Sequence, residues 1–223
     1  MNRKLIATVA AVASLGATTA GLGLADAAPV KMPAKTTAAA LTKANLPTAA
    51  QLKVDVDQKA GFVAGATIHG EAKGTVAPCQ AATWSSLGAK DSWTRSYTLR
   101  GDRASTGAAA IARFATAADA RNAARAMTEG LKDCEASINE MNPEFATTGQ
   151  AWRQVKLDDA TPAFVQVLEG TQTDRGISYE IHGGVVVKGN RAELVSMTFV
   201  NNQEPYGTNA MWATLSSTVR KLG

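Results

Sequence analysis

The chain of 223 residues predicts an α+β domain, an antiparallel meander sheet of about five or six strands with helices packed on one face and one disulfide. Three observations carry that prediction. Between Ser92 and Val200, short segments alternate apolar and polar residues and are separated by turn residues, as antiparallel strands are. The segments 116–134 and 209–222 instead repeat apolar residues every three or four positions, which is helical spacing. Only two cysteines occur, Cys79 and Cys134.

The N-terminus reads as a secretory signal peptide. Arg3 and Lys4 precede an apolar stretch from Leu5 to Leu24, and Ala25-Asp26-Ala27 then offers a small-x-small cleavage site. A membrane-anchoring helix competes, since such a stretch is just long enough to span a bilayer. Gly16, Gly21, Gly23 and the small-residue exit favour cleavage, and no cysteine follows to carry a lipid. The expectation is a signal peptide over 1–27, a mature chain beginning near Ala28, export to the extracellular side and no stable membrane anchor. Residues 28–40, APVKMPAKTTAAA, lack an apolar period and read as a flexible leader. One domain of typical size, 41–223, remains. The formal net charge of +4 falls by one when Arg3, Lys4 and Asp26 leave. The remaining charges are interspersed and the basic ones do not alternate with aromatics, so no nucleic-acid partner is expected.

Leu41–Lys53 reads as a short helix or two turns, broken at Pro47. Val54–Thr75 has few bulky residues and reads as irregular chain or a short edge strand. Pro78-Cys79 suits the start of a short helix over Gln80–Leu87, stopped by Gly88. Ser92–Leu99 is a strand with Trp93, Arg95, Tyr97 and Leu99 on one side and Ser92, Thr94, Ser96 and Thr98 on the other. Gly101-Asp102 turns the chain into Ala108–Phe114. After a loop marked by Asn142-Pro143 and Gly149, Ala151–Leu157, Ala163–Gln172, Ile177–Val187 and Ala192–Val200 follow as a meander. Ile177, Tyr179, Ile181, Val185 and Val187 share a face. Asn209 caps a closing helix that carries Trp212, Leu215, Val219 and Leu222, with Arg220 and Lys221 at its cation-favouring end.

The stretch FATAADARNAARAMTEGLKDC, ending at Cys134, is a helix of small residues. Thr116 and Asp119 form a capping-box-like pair. Ala120, Ala123, Ala124, Met127, Leu131 and Cys134 fall on one stripe, with Cys134 in the last turn. Alanine lets the helix axis approach its sheet closely but buries less apolar area than leucine. Two thiols in an exported chain read as a disulfide, here Cys79–Cys134. Its closure stabilises the fold by about 4 kcal/mol in the chain-entropy model and offsets part of that deficit.

Little in the sequence speaks for chemistry, and no catalytic residue, cofactor or metal site is expected. The two histidines, His69 and His182, lack metal-ligand spacing, and His182 reads as a strand residue on a solvated face. Asp55 and Asp57 start like a calcium loop, but Lys59 takes the next ligand position. Arg100-Gly101-Asp102 is ordinary turn chemistry at a hairpin tip. Arg95, between Trp93 and Tyr97, is accounted for by a stem packed over aromatic surface. The sharper reading makes Trp93, Arg95 and Tyr97 the lining of an apolar cleft in which the guanidinium orients an anionic ligand.

The strand ending in Phe114, the run Ala115-Thr116-Ala117-Ala118-Asp119-Ala120 and the helix closing on Cys134 resemble a recurring pattern in the PknH-like extracellular sensor domains of actinobacteria. Leu41-Thr42-Lys43-Ala44-Asn45-Leu46-Pro47 resembles the leucine-rich entry of that family. Cys79 stands where the helix cysteine's partner is found, and the Trp152 strand, the meander and the Trp212 helix follow in similar order. The resemblance covers about Leu41 to Leu222 through short motifs. It departs from the kinase-linked members, which commonly carry a second disulfide and a kinase domain. It implies a stand-alone secreted member with an α+β fold and a cleft for an extracellular ligand, without established chemistry. The expected function is that of an exported, non-enzymatic, sensor-like domain acting through an extracellular small molecule or protein. The alternatives are a protease inhibitor presenting Gly170–Gly176 or Asn201–Gly207, and a secreted hydrolase using His182 with an exposed serine and a carboxylate.

Overall fold

The computed structural model describes residues 39–53, 61–71, 76–201 and 207–223, with side chains in the last stretch from Ala210 onward. The expected signal peptide, most of the leader, and Asp55 and Asp57 lie outside the described residues. Among the described residues, no helix is long and apolar enough to cross a membrane.

Seven strands form one antiparallel sheet: β1 (Phe62–His69), β2 (Asp91–Leu99), β3 (Asp102–Arg113), β4 (Phe145–Lys156), β5 (Pro162–Gln172), β6 (Ile177–Lys188) and β7 (Arg191–Val200). Their order is β1-β2-β3-β7-β6-β5-β4. The count exceeds the five or six expected because β1 is a full edge strand. Only Phe62 of its residues is buried and its register shifts between Ala64 and Thr67, so it carries little periodic signal. The chain builds β1 to β3 as a meander and leaves the sheet for α1 (Ala117–Lys132) and α2 (Cys134–Met141). It returns at the far edge as β4 and winds back until β7 closes against β3, with Ala109 opposite Val195 and Ile111 opposite Glu193.

Helices cover both faces of the sheet, which corrects the expectation of a single covered face. The physical reason is that the central strands are apolar in both registers. On β3, Ala108, Ala110 and Ala112 join one core while Ala109 and Ile111 join the other. The first core lies under α1 and α2, with Trp84 and Phe114. The second lies under α3 (Gly207–Thr218), the 3-10 turn Val219–Leu222 and an N-terminal strap that carries Leu41, Leu46 and Leu52. Adjacent glycines on β6 serve the two faces. A Cβ on Gly183 would lie 3.4 Å from Leu131 of α1, and one on Gly184 only 2.6 Å from Met211 Sδ of α3.

The Thr116–Asp119 capping box is present, each backbone N–H donating to the other's side chain at 3.1 Å. α1 stops at Lys132, however, and Cys134 opens α2 instead of ending α1. The strap consists of two single 3-10 turns, Lys43–Asn45 and Ala49–Gln51, on either side of Pro47. Gln80–Leu87 is not a helix: it runs irregularly to Thr83 and turns from Trp84, and Gly88 ends the turn at φ +91°. α3 begins at Gly207, two residues before the expected cap at Asn209. Cys79 and Cys134 are joined as a disulfide, with Cα atoms 4.9 Å apart.

Candidate ligand-binding groove

β2, β3 and β7 are adjacent in the sheet, and their alternation sends every second side chain to the α1 face. In the half of that face nearest the β2–β3 turn, Thr98, Thr106 and Thr198 stand in one row across the strands. Ser96 and Ser196 stand in the next, on either side of Ala108. They floor a cavity of about 280 Å³ that Val76 and Pro78 wall on one side. No hydrogen bond among the described residues engages any of these five hydroxyls. Thr94 Oγ1, one position along β2, donates instead to Gly70 O at 2.7 Å. The groove therefore presents paired donor and acceptor capacity without a charge among its described lining residues.

The wall is held from behind. Val76, Ala77 and Cys79 are buried, and the disulfide ties Cys79 to the start of α2. Trp84, fully buried, meets Phe114 edge-on at 6.0 Å between centroids. The Gln80 amide donates to Ala82 O at 2.8 Å and also to the Glu71 carboxylate. Burial pushes Glu71 up to about 7, against the opposing pull of the Trp84 backbone and Gln80. A larger depression, about 420 Å³, lies between Leu87–Lys90 and the first turn of α1. Its one carboxylate, Asp119, already accepts from the Thr116 backbone N–H and hydroxyl in the capping box.

Trp93, Arg95 and Tyr97 share the opposite face of β2, where the N-terminal strap covers them. Arg95 donates from Nε to Thr67 Oγ1 at 2.8 Å, from Nη1 to Pro47 O at 2.9 Å and from Nη2 to Lys43 O at 3.4 Å. Tyr97 donates to the same Pro47 carbonyl at 2.7 Å, and burial raises its phenol well above the ordinary range. The Trp93 ring packs on His69 at 4.7 Å. The cleft expected around these three residues is thus filled by the chain itself, and the open site lies on the other side of the same strand. Tyr97 borders the groove only between Ser96 and Thr98, with its ring turned away.

His182 is fully buried rather than solvated, because the side of β6 that carries it faces the second core. Its Nε2 meets Glu180 Oε1 at 2.7 Å and its ring lies edge-on to Phe199. A histidine–carboxylate pair is present, but it is sealed from solvent. Among the described residues, no three His, Cys, Asp or Glu side chains are grouped to hold a metal. Gly170–Gly176 is the end of β5 and a four-residue turn, closed by Arg175 N donating to Gln172 O at 3.3 Å. Residues 202–206 of the other candidate loop lie outside the described residues.

Ser92, Thr94, Ser96 and Thr98 are legible in the sequence as one polar strand face, but the groove is not. Its other hydroxyls come from β3 and β7, and the β3–β7 pairing spans an excursion of two helices and three strands that no local pattern reveals.

No known protein-family profile matches the chain, and no curated protein matches it. Among solved structures, the fold is similar to the crystal structure of the extracellular domain of PknH from Mycobacterium tuberculosis. The two are 17% identical over 72% of this chain and 84% of that one, with a TM-score of 0.45. A likeness at this level transfers no residue role.

Proposed function

We propose that the protein is an exported, non-enzymatic, sensor-like domain that binds a small extracellular ligand in the hydroxyl-lined groove and passes the signal to a partner protein. The observation that carries this reading is the groove itself, with five uncommitted hydroxyls beside a wall fixed by a disulfide and a buried tryptophan. A preformed concavity with convergent polar groups can hold a small molecule and fix its orientation. Export is supported by the Arg3-Lys4 start, the apolar run and the Ala25-Asp26-Ala27 exit, and a disulfide suits an oxidising compartment.

The test is a thermal-shift screen of the purified protein against small molecules, repeated on Thr106→Trp. Thr106 is exposed, so the indole fills the groove without entering a core. Ligands that raise the midpoint of the native chain, leave that of the variant unchanged and are recovered chemically intact support the reading. Equal shifts in both chains, or a ligand recovered as product, overturn it. N-terminal sequencing of secreted material should begin near Ala28.

A further inference from the structure

We propose that the groove takes one or two rings of a neutral saccharide, which exchange hydrogen bonds with Ser96, Thr98, Thr106, Ser196 and Thr198 and lay a C–H face against Val76 and Pro78. This rests on the groove being the ligand site and adds the chemical class of the occupant. Each serine or threonine hydroxyl both donates and accepts, as each sugar hydroxyl does, so the two surfaces match without regard to polarity. An ionised ligand would give up its hydration without a counter-charge among the described lining residues. An apolar ligand would leave five hydroxyls without partners.

An extended peptide is disfavoured by topology. The floor strands β2, β3 and β7 are all interior to the sheet, so their ladder groups are already paired and no strand can be added there. Size agrees as well: about 280 Å³ is at the lower limit of sites for drug-sized ligands. Neighbouring hydroxyls lie roughly 5 Å apart across strands and roughly 7 Å apart along them, the scale over which one sugar ring spreads its own. Threonine is common on solvated strand faces. What departs from that ordinary pattern is the wall beside these residues and their contiguity over strands that are not consecutive in sequence.

The experiment is an amide-resolved NMR titration of the disulfide-bonded protein with glucose, N-acetylglucosamine, maltose and cellobiose, set beside glucuronic acid and valeric acid. At least one neutral sugar should give saturable shifts at Ser96–Thr98, Thr106–Ala108, Ser196–Thr198 and Val76. Binding should be at least tenfold tighter than that of the two acids. The double variant Thr98→Val/Thr198→Val keeps side-chain shape and should lose these shifts with an unchanged thermal midpoint. If it does not fold, Ser96→Ala/Thr106→Ala, at two exposed positions, serves instead. Absence of saturable shifts with every neutral sugar, or shifts indifferent to both variants, overturns the proposal and leaves an ordinary solvated face. Saturation of the groove by an acid alone overturns the ligand class but leaves the groove as the site. Neutral sugars bound elsewhere overturn both.

Discussion

Two single residues reveal how tightly the second core is set. A Cβ on Gly184 would fall 2.6 Å from Met211 Sδ and 2.9 Å from Leu215 Cδ1, closer than atoms pack. Gly184→Ala should therefore destabilise the protein by about 1–3 kcal/mol, as overpacking does. A urea melt should show a lower midpoint with the same slope, and Met211→Ala in the same chain should recover part of the loss because the two side chains share one volume. Glu193 is the other case. It is 1% exposed, paired across strands with Ile111 and Val186, and accepts from Thr218 Oγ1 at 2.7 Å. Burial pushes its carboxyl from 4.5 up to about 7, against the lowering pull of Thr218 and Lys221. A folded pKa raised above the unfolded one means that the native state holds the proton more tightly. Stability is then greatest below 4.5 and falls as pH rises through about 7, by an amount on the order of 3 kcal/mol. Glu193→Gln should flatten this slope and be the more stable chain at pH 8, with little difference at pH 4.5. Glu71, raised for the same reason, leaves a residual slope of the same sign. Thermal midpoints that do not change between pH 5 and 8 in the native chain would refute the assignment.

At the scale of elements, the disulfide joins two pieces that the sheet does not hold directly. Cys79 belongs to a segment without regular structure, and Cys134 opens α2, with a separation of 55 residues between them. Cys134→Ser should cost about 2–5 kcal/mol and lower the urea midpoint accordingly; an unchanged midpoint would show that packing around Trp84 is sufficient. The same elements show what a sequence can and cannot convey. α1 was legible because its signals are local: Thr116 and Asp119 cap it, and its alanine stripe keeps helical period over four turns. The meander β5 to β7 was legible through alternation and short turns. α2 was missed because Ile138 is its only buried aliphatic residue and supplies no period. The turns after Pro78 were misread as a helix because Pro78 satisfies a helix-start rule, while Trp84 and the disulfide decide the path of the chain. β1 was only an alternative for the same reason that it lies at an edge, since seven of its eight residues are not buried. The second covered face was missed because alternation identifies which residues share a side and does not identify what covers that side.

For the whole molecule, the sheet separates two cores that are closed in different ways. On the α1 face the closure is covalent, through Cys79–Cys134. On the α3 face it is a clasp between the strap and the C-terminal helical segment, made wholly of noncovalent contacts among the described residues. Asn45 Nδ2 donates to Lys221 O at 2.8 Å, Lys221 Nζ to Leu46 O at 3.0 Å and Gln51 Nε2 to Ser217 O at 2.6 Å. Arg191 adds Nη1 to Leu222 O at 3.1 Å and Nη2 to Ala39 O at 2.6 Å. Leu41, Leu46 and Leu52 fill the apolar space beneath. Because β3, β6 and β7 contribute to both cores, the sheet itself should remain the last part to open, and each cover should open on its own. Reduction with dithiothreitol should therefore act on one face. Hydrogen exchange of the Leu87, Gly88 and Ala89 amides and of α2 should accelerate at least tenfold. The Lys53 amide, bonded to Thr214 Oγ1 at 2.9 Å, and the helix α3 should keep their rates. Val76 and Pro78 belong to the loosened segment, so reduction should also weaken any ligand held in the groove. Equal acceleration on both faces would mean that the two cores open as one unit, and the distinction between a covalent cover and a clasped one would then have no dynamic meaning.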